Sequence, residues 1–202
     1  PPVLPPPPPF PTPPPWRLTD EEYRIFLTKT NQYRCMHGVP ALVWDQALSD
    51  QSYEYVQDWS CFGGHSPHIK KLGQGENIAF VPGTTAITAV DSAVLALGLW
   101  YDEVNNCIGG PEGFTDGCRH SPFGTVTGHF TATVWRTATR MGCAFSNNWK
   151  FTICRYGTAY DYFTQDMPNW TNRVKQNVLP RSKSLDECAI PPAPLPPPPS
   201  PP

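Results

Sequence analysis

The distribution of proline constrains this chain more than any other feature. Of its 27 prolines, 11 lie in residues 1–15 and nine lie in residues 191–202. Proline fixes the backbone angle φ and has no N–H to donate, so runs this dense form neither helix nor sheet and favour polyproline II. We therefore predict a folded domain over residues 16–188, with polyproline II arms at residues 1–15 and 189–202.

The predicted domain has the composition of a globular unit with a substantial core. All seven Trp lie inside it, and the formal net charge of the chain is -2. This balance argues against nucleic acid or an anionic membrane as the main partner, because both attract a basic excess. No apolar run approaches the roughly 20 residues of a membrane-spanning helix. The chain begins and ends in Pro without a signal peptide, so we expect a processed part of something longer.

Seven dispersed cysteines indicate disulfide bonds rather than a cysteine metal site. None of them form the C-x-x-C pair that is typical of a zinc ribbon. Dispersed cysteines in a small domain favour an oxidising compartment, so we expect an extracellular, secreted protein. A glycosylation sequon that begins at Asn169 agrees with secretion.

The cysteines can be paired only in part from their positions. Cys143 and Cys154 flank a predicted hairpin, so we predict a bond between them across neighbouring strands. Two further bonds of open connectivity are expected from Cys35, Cys61, Cys107 and Cys118. Cys188 is then left over at the border of the second arm. We expect it to be a free thiol, to bond an unseen partner, or to join two chains.

Hydrophobic periodicity predicts three helices in the first half of the domain. Thr19 and Glu22 form a capping box at the start of the first helix, and Gly38 can end it. Apolar side chains at helical spacing predict a second helix from about residue 45 and a third over about residues 86–104.

The apolar period changes to two in the second half of the domain. Residues 129–135 alternate and are predicted to form a strand. Residues 140–146 and 150–156 are predicted to form a hairpin across Asn147 and Asn148. Helices segregated from antiparallel strands are typical of the α+β class, with helices covering a sheet.

Five short motifs occur in order: residues 31–34 (NQYR), 38–45 (GVPALVWD), 75–79 (GENIA), 128–136 (GHFTATVWR) and 151–156 (FTICRY). Together they resemble the CAP superfamily, which includes plant pathogenesis-related proteins, insect venom allergens and cysteine-rich secretory proteins. Thr133 departs from the aliphatic residue usual at its position, and residues 157–161 replace a usual Pro-Pro-Gly-Asn run. The resemblance implies a three-layer α-β-α sandwich with a central antiparallel sheet.

The same resemblance implies a central cleft in which two His and two Glu converge. Matched motif by motif, these are His65, Glu76, Glu103 and His129. The two imidazoles would leave a divalent metal such as zinc partly open, while the carboxylates bind the metal or orient the imidazoles. The same four residues could instead form a hydrogen-bond network that organises the fold, or perform general acid–base chemistry. We assign no catalytic residue, because no Ser or Cys beside them is compelling as a nucleophile.

The remaining histidines and one lysine pair match no ligand pattern. We expect His37, His68 and His120 to be exposed to solvent or to cap helices. Lys70 and Lys71 are expected to lie in a solvated loop. No cofactor other than the divalent metal is expected.

The arms carry a second resemblance. Residues 5–9 and 195–202 are similar to extensin-like, hydroxyproline-rich proteins of plant and algal walls and fibres, whose prolines are hydroxylated and glycosylated. Thr12 and Ser200 are further candidate sites for sugars. We therefore predict a structural glycoprotein of an extracellular filament, cell wall or matrix, in which the arms contact copies of the same chain or other chains.

Two alternative functions stay open. In the first, the cleft or a neighbouring groove binds a lipid, a sterol or a glycan, as the CAP resemblance implies. In the second, the four cleft residues serve a hydrolase. A buried apolar ligand would favour the first alternative, and a metal with an open position facing a solvent-reachable groove would favour the second.

Overall fold

The structure of this chain, a computed structural model, describes residues 17–57, 64–66, 73–80, 88–118, 126–147, 150–158 and 170–189. Both polyproline arms lie outside the described residues. So do several side chains singled out in the sequence: Thr12, Cys61, His68, Lys70, Lys71, His120, Asn148, Asn169 and Ser200. Within the described ranges, no helix is long and apolar enough to cross a membrane.

Helices and strands follow one another along the described residues. The helices are α1 (Asp20–Met36), α2 (Gln46–Gln57), α3 (Ala89–Asp102), α4 (Gly110–Gly113), α5 (Gly128–Thr133) and α6 (Trp170–Asn177). The strands are β1 (Val43–Trp44), β2 (Gln74–Phe80), β3 (Ala138–Phe145) and β4 (Phe151–Thr158). Short 3₁₀ turns are formed by Glu103–Asn106 and Asp186–Cys188.

The strands form one sheet in the order β1-β3-β4-β2. It is antiparallel except that the two-residue β1 pairs in parallel with β3. Because side chains alternate between the faces of a strand, Ile153 of β4 packs with Val56 of α2 on one face. On the other face, Cys154 and Tyr156 belong to the core that contains Phe26 of α1. The chain therefore has the predicted α-β-α sandwich architecture.

Helix α2 lies close against the sheet because Gly142 of β3 has no side chain. A Cβ atom at this position would stand 2.3 Å from the backbone nitrogen of Ser49 in α2. The hydroxyl of Ser49 also donates a hydrogen bond to the carbonyl of Cys143 at 2.7 Å. Since Gly142 is the cross-strand partner of Arg155, this contact places α2 beside Arg155.

Capping boxes begin two of the helices. At the start of α1, the Glu22 amide donates to the Thr19 hydroxyl and the Thr19 amide donates to the Glu22 carboxylate, as predicted. Thr88 and Asp91 form the same arrangement at the start of α3. The third helix therefore begins at Ala89, later than expected. Its regular part ends at Asp102, and Glu103–Asn106 continues it as a 3₁₀ turn.

The predicted strand over residues 129–135 is wrong, because the chain forms helix α5 there. Its alternating pattern is uninformative, since the residues that follow His129 are buried whatever their polarity. The helix also satisfies the threonines. The hydroxyl of Thr131 donates to the carbonyl of Gly128, and that of Thr133 donates to the carbonyl of His129. Bonds of this kind give the buried hydroxyls partners within the helix.

Three disulfide bonds join described residues. Cys143 and Cys154 are bonded across β3 and β4, as predicted, with 4.1 Å between their Cα atoms. Cys107 bonds Cys118.

The expectation for Cys188 is wrong: it is bonded to Cys35 of α1, 153 residues away. Cys35 was expected to pair among the other cysteines. The backbone explains the bond, since the amides of Ser182 and Lys183 both donate to the carbonyl of Met36 and bring the C-terminal segment to the end of α1. No local sequence pattern signals a contact between segments so far apart.

A buried cation connects α1 to three other parts of the chain. Arg34 is 0% exposed, and its guanidinium donates to the carbonyls of Pro40, Thr133, Trp135 and Ala138 at 2.7–3.1 Å. Burial lowers the pKa of Arg34 to about 10, so it stays charged at neutral pH. These bonds join the end of α1 to the approach to β1, the end of α5 and the start of β3.

We predict that Arg34→Lys lowers the free energy of unfolding by about 3 kcal/mol, because an ammonium group cannot reproduce the planar fork of donors and leaves buried carbonyls unpaired. Urea denaturation followed by tryptophan fluorescence measures this change. Arg24→Lys, on a partly exposed position of the same helix, is the matched control and should change stability little. Equal losses in the two variants would contradict the role given to Arg34.

His37 is buried, contrary to the expectation of an exposed histidine, although it does occupy the C-cap of α1. Its Nδ1 donates to the carbonyl of Leu179 at 2.6 Å, and its Nε2 accepts from the hydroxyl of Tyr101 at 3.1 Å. Desolvation lowers its pKa from 6.5 to about 4, partly opposed by the bond to Leu179. His37 is therefore neutral in the folded protein under ordinary conditions.

This burial predicts a stability that depends on pH. The contribution of neutral His37 is complete above pH 6.5 and declines as the pH falls to about 4, because the unfolded chain gains the proton that the folded chain excludes. The loss should be on the order of 3 kcal/mol. Denaturation curves from pH 7 to 4 (~0.5-unit steps) measure it. His37→Gln, which can keep both hydrogen bonds, should flatten this part of the profile; identical pH profiles would refute the assignment.

Candidate functional site

The structure brings the four cleft residues together from four different segments. Nδ1 of His65 lies 3.1 Å from Oε1 of Glu76 in β2. Nδ1 of His129 in α5 lies 2.6 Å from Oε1 of Glu103, which opens the 3₁₀ turn after α3. The centroids of the two imidazoles are 6.4 Å apart. The cleft thus consists of two Glu–His pairs whose imidazoles are neighbours, with their planes inclined by 45°.

Strand β2 positions both pairs because its consecutive side chains point to opposite faces. Glu76, the cross-strand partner of Arg155, binds His65 on the α2 face. The next residue, Asn77, points to the other face, where its Nδ2 donates to the carbonyl of His129 at 3.0 Å. Because β2 is an edge strand of the sheet, the two histidines can approach each other past its outer edge, one from each face.

Glu103 holds His129 by capping the helix that carries it. Besides the bond to Nδ1, its carboxylate accepts from the backbone amides of His129 at 2.8 Å and Phe130 at 3.1 Å. These amides lie in the first turn of α5, where backbone N–H groups have no partner within the helix. The ring of Trp100 in α3 stacks 6.3 Å from the His129 ring. His129 is thus fixed by its own helix and by α3.

Glu76 has a different set of partners, which includes a cation. Its Oε1 accepts from Nδ1 of His65 and from the amide of Ser66 at 2.9 Å. Its Oε2 accepts from Nε of Arg155 at 3.1 Å, and the two side chains are 0% and 5% exposed. The negative charge of Glu76 is therefore balanced inside the protein.

The two carboxylates determine the tautomers of both imidazoles. A carboxylate accepts hydrogen bonds, so each Nδ1 carries a proton and each Nε2 presents a lone pair. Among the described residues, neither Nε2 has a hydrogen-bond partner. The side chains of His65 and His129 are 58% and 30% exposed. Both imidazoles are therefore open in part to solvent.

The carboxylates orient the imidazoles and are themselves fully engaged, since every oxygen of Glu76 and Glu103 accepts a bond. No cluster of three or more His, Cys, Asp or Glu with metal-binding geometry occurs among the described residues. What the cleft offers is a pair of imidazole nitrogens with orienting carboxylates. This set suits a metal with an open coordination sphere or a ligand that donates hydrogen bonds.

Sequence reasoning missed residues that support the cleft. Arg155 and Tyr55 contact the Glu76 side, and Asn77 contacts the His129 side. Thr133, noted only as unusual for its motif, accepts from Asn77 at 3.2 Å. The alternation of β2 could have placed Asn77 on the face of the strand opposite to Glu76. Its partners could not have been predicted in this way, because they lie 52 or more residues away in sequence.

Comparison with known proteins identifies relatives across most of the domain. A model of the cysteine-rich secretory protein family, CAP, matches residues 27–167. Secreted protein RBT4 of Candida albicans is 28% identical over 74% of this chain, which spans 38% of that protein. Golgi-associated plant pathogenesis-related protein 1 of Homo sapiens is 30% identical over 76% of this chain and 89% of its own length.

A solved structure shows the same fold. The crystal structure of NaASP2 with Zn2+ has a TM-score of 0.60 and 17% identity, and the match covers 84% of this chain and 90% of that chain. At this identity the likeness concerns the fold alone.

Proposed function

Because this chain belongs to the cysteine-rich secretory protein (CAP) family, we propose that it is a secreted module whose cleft binds a divalent metal ion such as zinc. One observation carries the proposal: both Nδ1 atoms are held by carboxylates, which leaves an Nε2 lone pair on each of two neighbouring, partly exposed imidazoles. A carboxylate that orients an imidazole in this way raises its basicity as a ligand.

The spacing of the two rings supports a single shared ion. A bond from zinc to an imidazole nitrogen is about 2.1 Å long, and the ring centroids are 6.4 Å apart. His65 and His129 would hold the metal, while Glu76 and Glu103 fix the rings. A zinc ion with two protein ligands would supply open positions for water or a further ligand. NaASP2, a relative in fold, was crystallised with Zn2+, which supports the choice of probe.

Secretion is supported by two independent features. Three disulfides form among the described residues, and such bonds persist in oxidising compartments. A relative from Candida albicans is a secreted protein.

We predict that the protein binds zinc and that His65→Ala and His129→Ala each weaken the affinity more than about 100-fold, beyond the 10–100-fold effect of losing an orienting partner. The double variant should take up no zinc. Isothermal titration against a competing chelator measures affinity on the metal-free protein. Asp50→Asn, on α2 and paired with Arg17, serves as the control. Unchanged affinity in both single variants would refute a metal between the two histidines.

A second function concerns the arms. We propose that they display the domain on an extracellular glycoprotein filament, wall or matrix, with sugars on hydroxylated prolines and on Thr12 and Ser200. The Cys35–Cys188 bond supports a load-bearing role. It joins the border of the second arm to α1, the first helix after the other arm, so tension between the arms bypasses residues 36–187.

Composition tests this proposal directly. Acid hydrolysis of the native protein should release hydroxyproline, together with pentose or hexose, in amounts that match the 20 prolines of residues 1–15 and 191–202. Peptides from residues 16–188 provide the internal comparison and should contain little hydroxyproline. Unmodified proline throughout would leave the arms as linkers.

A further inference from the structure

Arg155 occupies a buried position between the cleft and helix α2. Its Nε donates to Glu76, its directly opposed cross-strand neighbour. On its other side, the guanidinium carbon lies 5.7 Å from the centroid of the Tyr55 ring. A cation within about 6 Å of an aromatic centroid is attracted to the ring face. Arg155 is therefore held between a carboxylate and an aromatic ring.

Tyr55 extends this contact to the segment that carries His65. Its hydroxyl donates a hydrogen bond of 2.6 Å to the carbonyl of Gly64. On the far side of His65, the amide of Ser66 donates to Oε1 of Glu76. The residue that precedes His65 is thus held by Tyr55, and the residue that follows it is held by Glu76.

We propose that Tyr55 and Arg155 are positioning residues that together fix the imidazole of His65 relative to His129. Arg155 binds Oε2 of Glu76 and so leaves Oε1 aimed at His65 and Ser66. Tyr55 prevents the 64–66 segment from moving away from Glu76.

The two histidines consequently differ in how they are held. His129 lies within helix α5 and is bound by Glu103 and stacked on Trp100. The described residues around His65, 64–66, belong to neither a helix nor a strand, and His65 is the more exposed of the two histidines. Loss of Tyr55 or Arg155 should therefore affect His65 alone. The consequence for zinc rests on the proposed metal-binding function, whereas the position of His65 can be measured without metal.

The experiment uses Tyr55→Phe and Arg155→Gln in the full chain. Tyr55→Phe keeps the ring beneath the guanidinium and removes only the bond to Gly64. Two variants serve as matched controls. Tyr53→Phe changes a tyrosine of the same helix. Arg140→Gln changes an arginine of the neighbouring strand β3 and removes its ion pair with Asp45. Long-range ¹H–¹⁵N spectra of the metal-free protein report the tautomer of each imidazole, and chelator competition reports zinc affinity.

We expect both variants to move His65 from a single Nδ1–H tautomer to a mixture while His129 keeps its wild-type shifts. Zinc affinity should fall about 10- to 100-fold, as for other orienting partners, and both controls should match the wild type. Unchanged His65 shifts in Tyr55→Phe would overturn the proposal, and this variant decides alone if Arg155→Gln fails to fold. If the wild type binds no zinc, the metal-binding proposal fails while the tautomer measurement still decides the positioning one.

Discussion

The guanidinium of Arg34 connects the parts of the domain that must meet for a cleft to exist. It is a cation surrounded by four backbone carbonyls rather than by a carboxylate. A buried charge is tolerated only when its hydrogen-bond donors are satisfied. The backbone carbonyls that accept from Arg34 must therefore point at its guanidinium. Two of those carbonyls lie at the end of α5, the helix that carries His129. The bonds of Arg34 therefore help to set where one half of the cleft stands.

The other half depends on the edge strand. Side chains alternate along β2, so Glu76 points towards α2 and Asn77 points towards α5. Two consecutive residues of one strand therefore contact both helical layers of the sandwich. Each histidine is bound by a carboxylate that also accepts a hydrogen bond from a backbone amide. Glu103 caps α5, and Glu76 binds the Ser66 amide. The hydrogen bonds that organise the fold are the same ones that orient the imidazoles. A structural network and a ligand site are thus compatible descriptions of these four residues.

The two pairs nevertheless differ in charge. Arg155 balances Glu76, whereas the partners of Glu103 in the described structure are the amides of α5 and the His129 ring. Among the described residues, an ion placed between the rings would therefore meet one carboxylate that is paired with an arginine and one that is not. On the His65 side, the contact between Arg155 and Tyr55 also connects Glu76 to helix α2.

Local patterns in the sequence predicted the elements whose causes are local. The capping box at Thr19 and the hairpin that pairs Cys143 with Cys154 both follow from residues close together in the chain. The resemblance to the CAP superfamily supplied the α-β-α sandwich and the four cleft residues, which periodicity alone does not indicate.

Tertiary structure decided the features whose causes are distant. Residues 129–135 have a strand-like pattern but form α5, because burial on all sides removes the meaning of alternation and the threonine hydroxyls bond within the helix. Cys188 bonds Cys35 because the C-terminal segment docks on the end of α1. His37 is buried because Leu179 and Tyr101 satisfy both of its nitrogens. In each case the deciding partner lies far away in sequence, where a hydrogen bond or a disulfide leaves no local pattern, and only the packed chain brings the two groups together.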